Sequence, residues 1–342
     1  MRNIKKRPSK SDIMGKFRET LDRDFRLAME RIDKELVSSI PESSPSILYK
    51  ASRHLIEIGG KRIRTALLML SHNSLSTEGD LNKILPVAIA VELIHTATII
   101  HDDIIDRSSL RRGAQTVNAK WGDDAALITG DFIFSKAFEL ISSLEEKRIS
   151  ESIYDACRKL AEGQILEAMH TGDTKITEEV YLEVIERKTA SLFETCTRCG
   201  AILGGGNKKE VEALAGYGFL LGIGFQMTDD VLDISASELE LGKPVGVDVG
   251  LGKPTFVILH ALKVASERER RILQRTINHD NSSVEDIKKA LEIIKGTNSI
   301  EYASKRAKSF ISRAKDEIKG IKNSEAKEGL LLIADYAINR DF

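Results

Sequence analysis

Aromatic residues make up only 5% of the sequence, with a single tryptophan, and runs of alternating β-branched residues are short. A sheet needs such residues to fill its pleated surface, so an all-β or α/β reading has no support. Cysteine is rarer still. Cys157, Cys196 and Cys199 are the whole set, and an odd number this small argues against a disulfide-stapled secreted domain and for reducing, cytoplasmic surroundings. Cys196-Thr-Arg-Cys199 has CxxC spacing, but it lacks the second pair or histidines of a zinc site and the βαβ context of a redox motif. It reads as two thiols in a helix interior. Neither sign of charge is in excess: 51 basic residues face 52 acidic ones, for a net charge of −1. Nucleic-acid and anionic-surface binders carry a basic surplus, so neither partner is expected and any charge chemistry must be local. No run of eighteen apolar residues is present, so no stable membrane insertion is expected. The basic start MRNIKKRPSK leads into a charged amphipathic stretch, which makes a poor secretory signal.

What the sequence has in abundance is helical periodicity. Amphipathic patterns predict helices over Ser11 to Ile40, Ser46 to Ile58, Ile63 to Leu75, Asp123 to Ser143, Ser150 to His170, Thr177 to Leu203 and Lys208 to Ile234. Leu81 to Asp106 is apolar on all sides until its end and is expected at the centre. Gly204-Gly205-Gly206-Asn207 marks a turn. Pro254 to Ser266 opens a smaller C-terminal set running to Ala337. Residues 1–10 are expected to be disordered. Nothing marks a linker, so the expectation is one all-α domain over residues 1–342, an antiparallel helical bundle.

Two aspartate clusters dominate the chemistry: Asp102-Asp103-Ile-Ile-Asp106 and Asp229-Asp230-Val-Leu-Asp233. Each closes a strongly apolar helix. Positions i and i+4 share a helix face, so Asp102 with Asp106, and Asp229 with Asp233, can grip one cation. Carboxylates this close repel one another unless cations lie between them. Oxygen-only ligation suits magnesium or manganese, and magnesium shares its shell readily with phosphates. The plain alternative is an acidic helix end in solvent. However, the helix dipole disfavours carboxylates at a C-terminus by ~0.3–1 kcal/mol each, and the same triplet occurs twice.

Basic groups supply the complement. Gly59-Gly60-Lys61-Arg62-Ile63-Arg64 enters a helix, where the three-residue spacing lets Lys61 and Arg64 face one way. Arg111-Arg112-Gly113 follows the first cluster, Lys188-Thr189 lies in a helix, and Gly242-Lys243 to Gly252-Lys253 follows the second cluster. Arginine forks and lysine point charges suit diphosphate oxygens. Together with the anionic clusters they describe a cavity for more than one diphosphate.

The string VELIHTATIIHDDIIDRSSLRRG, preceded by GGKRIR and followed by KTASLF, GFQMTDDVLD and GKPVGVDVGLGKPT, resembles the trans-isoprenyl diphosphate synthases. The motifs run from Gly59 to Thr255 in that family's order. The resemblance implies the isoprenoid synthase fold, with helices around a central cavity, and a homodimer. It implies a prenyltransferase that condenses isopentenyl diphosphate with an allylic diphosphate, using Mg2+, three ions per site, with Mn2+ as a substitute. It assigns Asp102, Asp106 and Asp229 to the ions, with Asp103, Asp230 and Asp233 as ligands or supports. Arg111, Lys188 with Thr189, Gln226 and Lys243 would bind the allylic diphosphate. Lys61, Arg64, His95 and Arg112 would hold isopentenyl diphosphate, and Asp248 and Lys253 would order the loop over the metals.

The residues also permit a rival. Glu92-x-x-His95 and Glu167-x-x-His170 have the spacing of di-iron carboxylate bundles, with Glu57, Glu139 or Glu194 as further ligands. That reading leaves both aspartate clusters unexplained. A terpene cyclase or a non-catalytic subunit of the same fold fits less well, because every motif position of the synthases is filled.

Product length is set below Asp102. Thr98 and Ala97 stand four and five residues before it, roughly 7 Å down the helix at ~1.5 Å per residue. Short-chain members of the family carry a bulky aromatic here, whereas this chain carries small residues. The tunnel is therefore expected to run deeper, with Phe134 and Phe138 as its floor and a product of twenty-five carbons or more. Geranylgeranyl diphosphate is the alternative.

Overall fold

The apolar and amphipathic stretches form sixteen α-helices in a computed structural model that describes residues 23–76, 80–235, 246–278 and 282–339. The N-terminal layer is α1 (Arg23–Ser38), α2 (Ser46–Ile58) and α3 (Ile63–Asn73). The apolar stretch becomes α4 (Leu81–Ile105), which a two-stranded hairpin follows, β1 (Leu110–Arg111) and β2 (Ala114–Gln115). Next come α5 (Val117–Trp121), α6 (Asp123–Ser142), α7 (Lys147–His170) and α8 (Glu178–Ile185). A single π-helical turn, Glu186–Ala190, then leads into α9 (Ser191–Leu203) and α10 (Lys208–Ser235). The C-terminal set is α11 (Val247–Gly250), α12 (Phe256–Val264), α13 (Glu267–Ile277), α14 (Val284–Gly296), α15 (Ser299–Glu317) and α16 (Glu325–Ile338). The helix expected from Ser11 is described from Arg23 onward; its first part, like the disorder expected for residues 1–10, lies outside the described residues.

α4 is the central rod. Its faces are apolar all round, and Val87, Ala88, Val91, Leu93, Ile94, Ala97 and Ile100 are fully enclosed. By length and composition it is apolar enough to cross a membrane, contrary to the expectation from the sequence. Two thirds of its most apolar window (67%) is nonetheless buried inside the protein, as for a core helix. α6 packs along one side of it, while α3, α9, α10 and α15 stack in succession on the other. Their buried side chains form one contiguous cluster. Cys196 and Cys199 are buried on α9 with free thiols, as their context suggested. Burial pushes Cys199 up to about 12 and Cys157 to about 11.

Two features departed from the sequence reading. The hairpin was not foreseen, because two-residue strands leave no alternating pattern. Its turn, Arg112-Gly113, has positive φ at both residues (54° and 79°), the signature of a type I′ hairpin turn. The stretch Thr177 to Leu203, expected to be one helix, is interrupted by the π turn. Such insertions are frequent at functional sites, and this one carries Lys188 and Thr189.

Candidate active site

Each aspartate cluster divides into residues that face outward and residues that are built in. In the first, Asp102 and Asp106 keep 27% and 17% side-chain exposure, while Asp103 keeps 1%. Asp106 caps α4, its N–H donating to the Asp102 carbonyl at 2.8 Å, which preserves the i, i+4 alignment. Asp103 turns back to the hairpin, where Arg111 Nε donates to its Oδ1 at 3.0 Å. Its Oδ2 is buried without a protein donor. The hairpin turn therefore does two things: it returns Arg111 to Asp103, and it lays Arg112 on the Gly59 carbonyl. A Cβ at Gly60 would lie 2.9 Å from Arg112 Nη1, so a side chain there would have to push the guanidinium aside.

In the second cluster Asp229 remains partly accessible, and Asp230 and Asp233 are buried at 4% and 2%. Asp230 accepts from the Tyr181 hydroxyl at 2.5 Å and from Gln226 Nε2 at 2.9 Å. Thr189 in the π turn donates to Gln226 Oε1 at 2.9 Å. Burial, opposed by these two donors and reinforced by Asp229 and Asp233, pushes Asp230 up to about 7. Asp233 was expected to pair with Asp229 as an ion ligand. Its Oδ2 accepts from the Asp248 N–H at 3.0 Å and its carbonyl from the Gly246 N–H at 2.8 Å, so it also anchors α11. Tyr181 is the residue that sequence reasoning missed. It lies seven positions before Lys188 in no motif, and only the fold brings it to Asp230.

The lysines lie across the first cluster. Lys188 Nζ is 2.6 Å from Glu167 and 3.8 Å from Asp102. Lys253 Nζ is 2.8 Å from Asp106 and 3.7 Å from Glu167. Gly163 on α7 permits this approach, since a Cβ there would lie 2.6 Å from the Lys188 backbone nitrogen. Lys243 lies outside the described residues.

The remaining basic groups sort differently from the expectation. The helix starts only at Ile63, with Arg62 before it in the left-handed conformation (φ 49°), so the i, i+3 argument for Lys61 fails. Lys61 lies 5.5 Å over the Tyr336 ring. Arg62 turns inward to Asp33 at 2.7 Å and Glu92 at 3.1 Å. Arg64 packs 4.9 Å over Phe193 and donates from Nη1 to His95 Nε2 at 3.0 Å. Arginine has no acceptor, so His95 must be neutral with its proton on Nδ1. Burial, then Arg64 and Arg112, hold it well below the usual histidine value. His95 thus fixes Arg64.

Below Asp102, Ala97 has no accessible surface while Thr98 keeps some, its hydroxyl donating to the His95 carbonyl at 2.9 Å. Phe134 and Phe138 stack with centroids 6.1 Å apart. Phe138 is 37% exposed and meets Tyr154 at 5.9 Å, so it lies on the outer face of α6, where it does not close an internal tunnel.

The donors of both clusters are carboxylate oxygens, which fit a hard divalent cation. The unpaired Asp103 oxygen and the two ammoniums seated between carboxylates fit it equally. Among the described residues no three or more His, Cys, Asp or Glu side chains converge on one point, so an ion held here completes its shell with other oxygens, those of water when it binds alone and those of a diphosphate when substrate is present. The di-iron reading loses its ligands: Glu92 is held by Arg62 and by Thr65 at 2.7 Å, and Glu167 by two lysines. Glu57 and Glu194 pair with arginines and Glu139 with Lys136.

Residues 45–294 match the polyprenyl synthetase family. A short chain isoprenyl diphosphate synthase of Methanothermobacter thermautotrophicus is 39% identical, over 93% of this chain and 98% of its own. An octaprenyl diphosphate synthase of Haemophilus influenzae is 36% identical, over 97% and 99%. The crystal structure of a Caulobacter crescentus polyprenyl synthase, complexed with calcium and isoprenyl diphosphate, superposes with a TM-score of 0.89 at 32% identity, covering 94% of this chain and 97% of that one. The chain therefore belongs to the polyprenyl synthetase family, with the all-α isoprenoid synthase fold, and is an isoprenyl diphosphate synthase, a transferase of prenyl groups.

Proposed function

We propose that the chain joins isopentenyl diphosphate to an allylic diphosphate by magnesium-assisted ionisation and makes a product of twenty-five carbons or more. The observation that carries the metal reading is the division of both clusters: Asp102, Asp106 and Asp229 face outward to hold the ions, while Asp103, Asp230 and Asp233 are the supports. Magnesium, or manganese in its place, supplies positive charge to the leaving diphosphate, aimed at charge that develops in the transition state.

The protein's own residues do the rest. Lys188 and Lys253 place ammonium groups beside the allylic diphosphate, and the motif resemblance assigns Lys243 to the same anion. Thr189 and Gln226 form one hydrogen-bonded unit that orients them toward it, and Arg111 steadies the first cluster through Asp103. Arg64 and Arg112, with Lys61, bind isopentenyl diphosphate, and neutral His95 holds Arg64 in place. The apolar run of α4 before Asp102 suits the exclusion of water from an allylic cation. No side chain stands out as a base, so the released diphosphate takes the proton. Residues 1–342 act as one catalytic domain in the cytoplasm.

The small pair Ala97 and Thr98 supports a long product, with geranylgeranyl diphosphate as the alternative; the relatives named above include both a short chain and an octaprenyl enzyme. Chromatography of the dephosphorylated products decides this. A main peak at twenty-five carbons or beyond is expected, and arrest at fifteen would refute the length assignment. A homodimer is supported by the apolar groups left open on neighbouring faces of α6 and α7: Leu127 (52% exposed), Phe138, Tyr154, Ile165 and Met169 (70%). A monomer in sedimentation at working concentration would contradict it.

A further inference from the structure

Glu167 is used by no step above, yet it touches both lysines. The five groups form a chain of alternating charge, Asp102–Lys188–Glu167–Lys253–Asp106, with links of 3.8, 2.6, 3.7 and 2.8 Å. Glu167 is its midpoint and the only member bound to both cations. Every side chain in the chain is between 16% and 27% exposed, so its pairs are shielded from water and act more strongly than surface pairs. Two backbone devices bring the partners to α7. Gly163, one turn before Glu167, admits the π turn that carries Lys188. Just beyond α7, the Gly172 N–H donates to the Gly252 carbonyl at 2.9 Å, beside Lys253. Burial lowers the pKa of Lys253, but Glu167, Asp106 and Asp248 outweigh it and keep the ammonium charged.

A cation that takes Asp102 and Asp106 competes with these two ammoniums for the same carboxylates, most directly with Lys253 at 2.8 Å from Asp106. A half-buried ammonium that loses its carboxylate gives up a shielded pair, so the lysines gain from another partner within reach. We propose that Glu167 is a positioning residue that receives Lys188 and Lys253 when metal occupies the first cluster, and so keeps both ammoniums beside the diphosphate. This rests on the metal-site reading above and adds to it a residue that neither ligates nor binds substrate.

The experiment uses Mn2+ alone as the probe, with binding followed by the electron paramagnetic resonance signal of the free ion. Acetylation of Lys188 and Lys253 is read by mass spectrometry with and without Mn2+. In the unsubstituted enzyme both lysines should stay protected in either state. In Glu167→Gln they should be protected without metal, where Asp102 and Asp106 still hold them. With metal bound they should become at least fivefold more reactive, and Mn2+ affinity should fall about tenfold. If that variant does not fold, Glu167→Asp should show the same metal-triggered exposure to a smaller degree. Lysines that become equally reactive with metal in both proteins, or that stay protected in the saturated variant, would overturn the proposal. Failure of the unsubstituted enzyme to bind Mn2+, or binding unchanged in Asp102→Asn, would instead overturn the metal-site reading on which it rests.

Discussion

Tyr181→Phe removes one hydroxyl and nothing else, and it tests how the second cluster is held. The hydroxyl donates at 2.5 Å to Asp230 Oδ2, in a site only 4% exposed, where water cannot replace it. A hydrogen bond to a charged partner contributes ~1.5–3 kcal/mol and one to a neutral partner ~0.5–1.5 kcal/mol. Asp230 changes between these states at about 7 in the folded chain, against about 3.9 for a free aspartate. The folded protein therefore binds more protons through that window, and the stability this group contributes falls as pH rises from about 4 to about 7. The Tyr181 bond holds Asp230 down, so its loss pushes the carboxyl further up and the cost is largest where the wild type is ionised. With an unfolding entropy of ~2.1 cal/mol/K per residue over the chain, 1 kcal/mol shifts Tm by roughly 1.4 °C. In chelator, the variant should melt about 2–4 °C below wild type at pH 8.5 and about 1–2 °C below at pH 5. A penalty equal at both pH values, or larger at pH 5, would refute the assignment of Tyr181 as the donor that holds ionised Asp230.

Other outcomes follow from the same geometry. Arg62→Ala leaves Glu92 buried without its cation and should destabilise the fold by ~3–5 kcal/mol, seen as a lower denaturant midpoint; a loss under 1 kcal/mol would mean the pair is not buried in solution. Cys196 and Cys199, both enclosed with thiols held far above neutrality, should resist a thiol reagent at pH 8 in the native enzyme and react once it is unfolded. Thr98→Tyr should shorten the main product by at least one five-carbon unit, and Ala97→Tyr should do so only by displacing the neighbours that enclose it; unchanged chromatograms for both would remove this turn of α4 from the tunnel.

Much of the fold was legible because helical periodicity spans whole elements. α2 runs Ser46–Ile58 as its pattern predicts, and α4 and α10 end within a residue of their expected bounds. The aspartate clusters were legible because i, i+4 spacing survives folding. What the sequence hid depends on contacts between distant segments. Local spacing cannot show that Asp233 holds α11, that Glu167 binds two lysines, or that a π turn seats Thr189 on Gln226. The basic motif GGKRIR shows the limit most clearly. Its three cations point three ways, to Tyr336, to Glu92 and to His95, because the left-handed residue at Arg62 breaks the helical register on which the spacing argument relied.

The most direct test of the account is condensation of isopentenyl diphosphate with an allylic diphosphate, measured against free Mg2+ for the wild type, Asp102→Asn and Asp229→Asn. The account predicts no turnover in excess chelator, full recovery with Mg2+ or Mn2+, and a loss of at least a thousandfold in each variant at saturating metal, about 4 kcal/mol of barrier. Undiminished turnover in chelator, or a loss below tenfold in both variants, would contradict it.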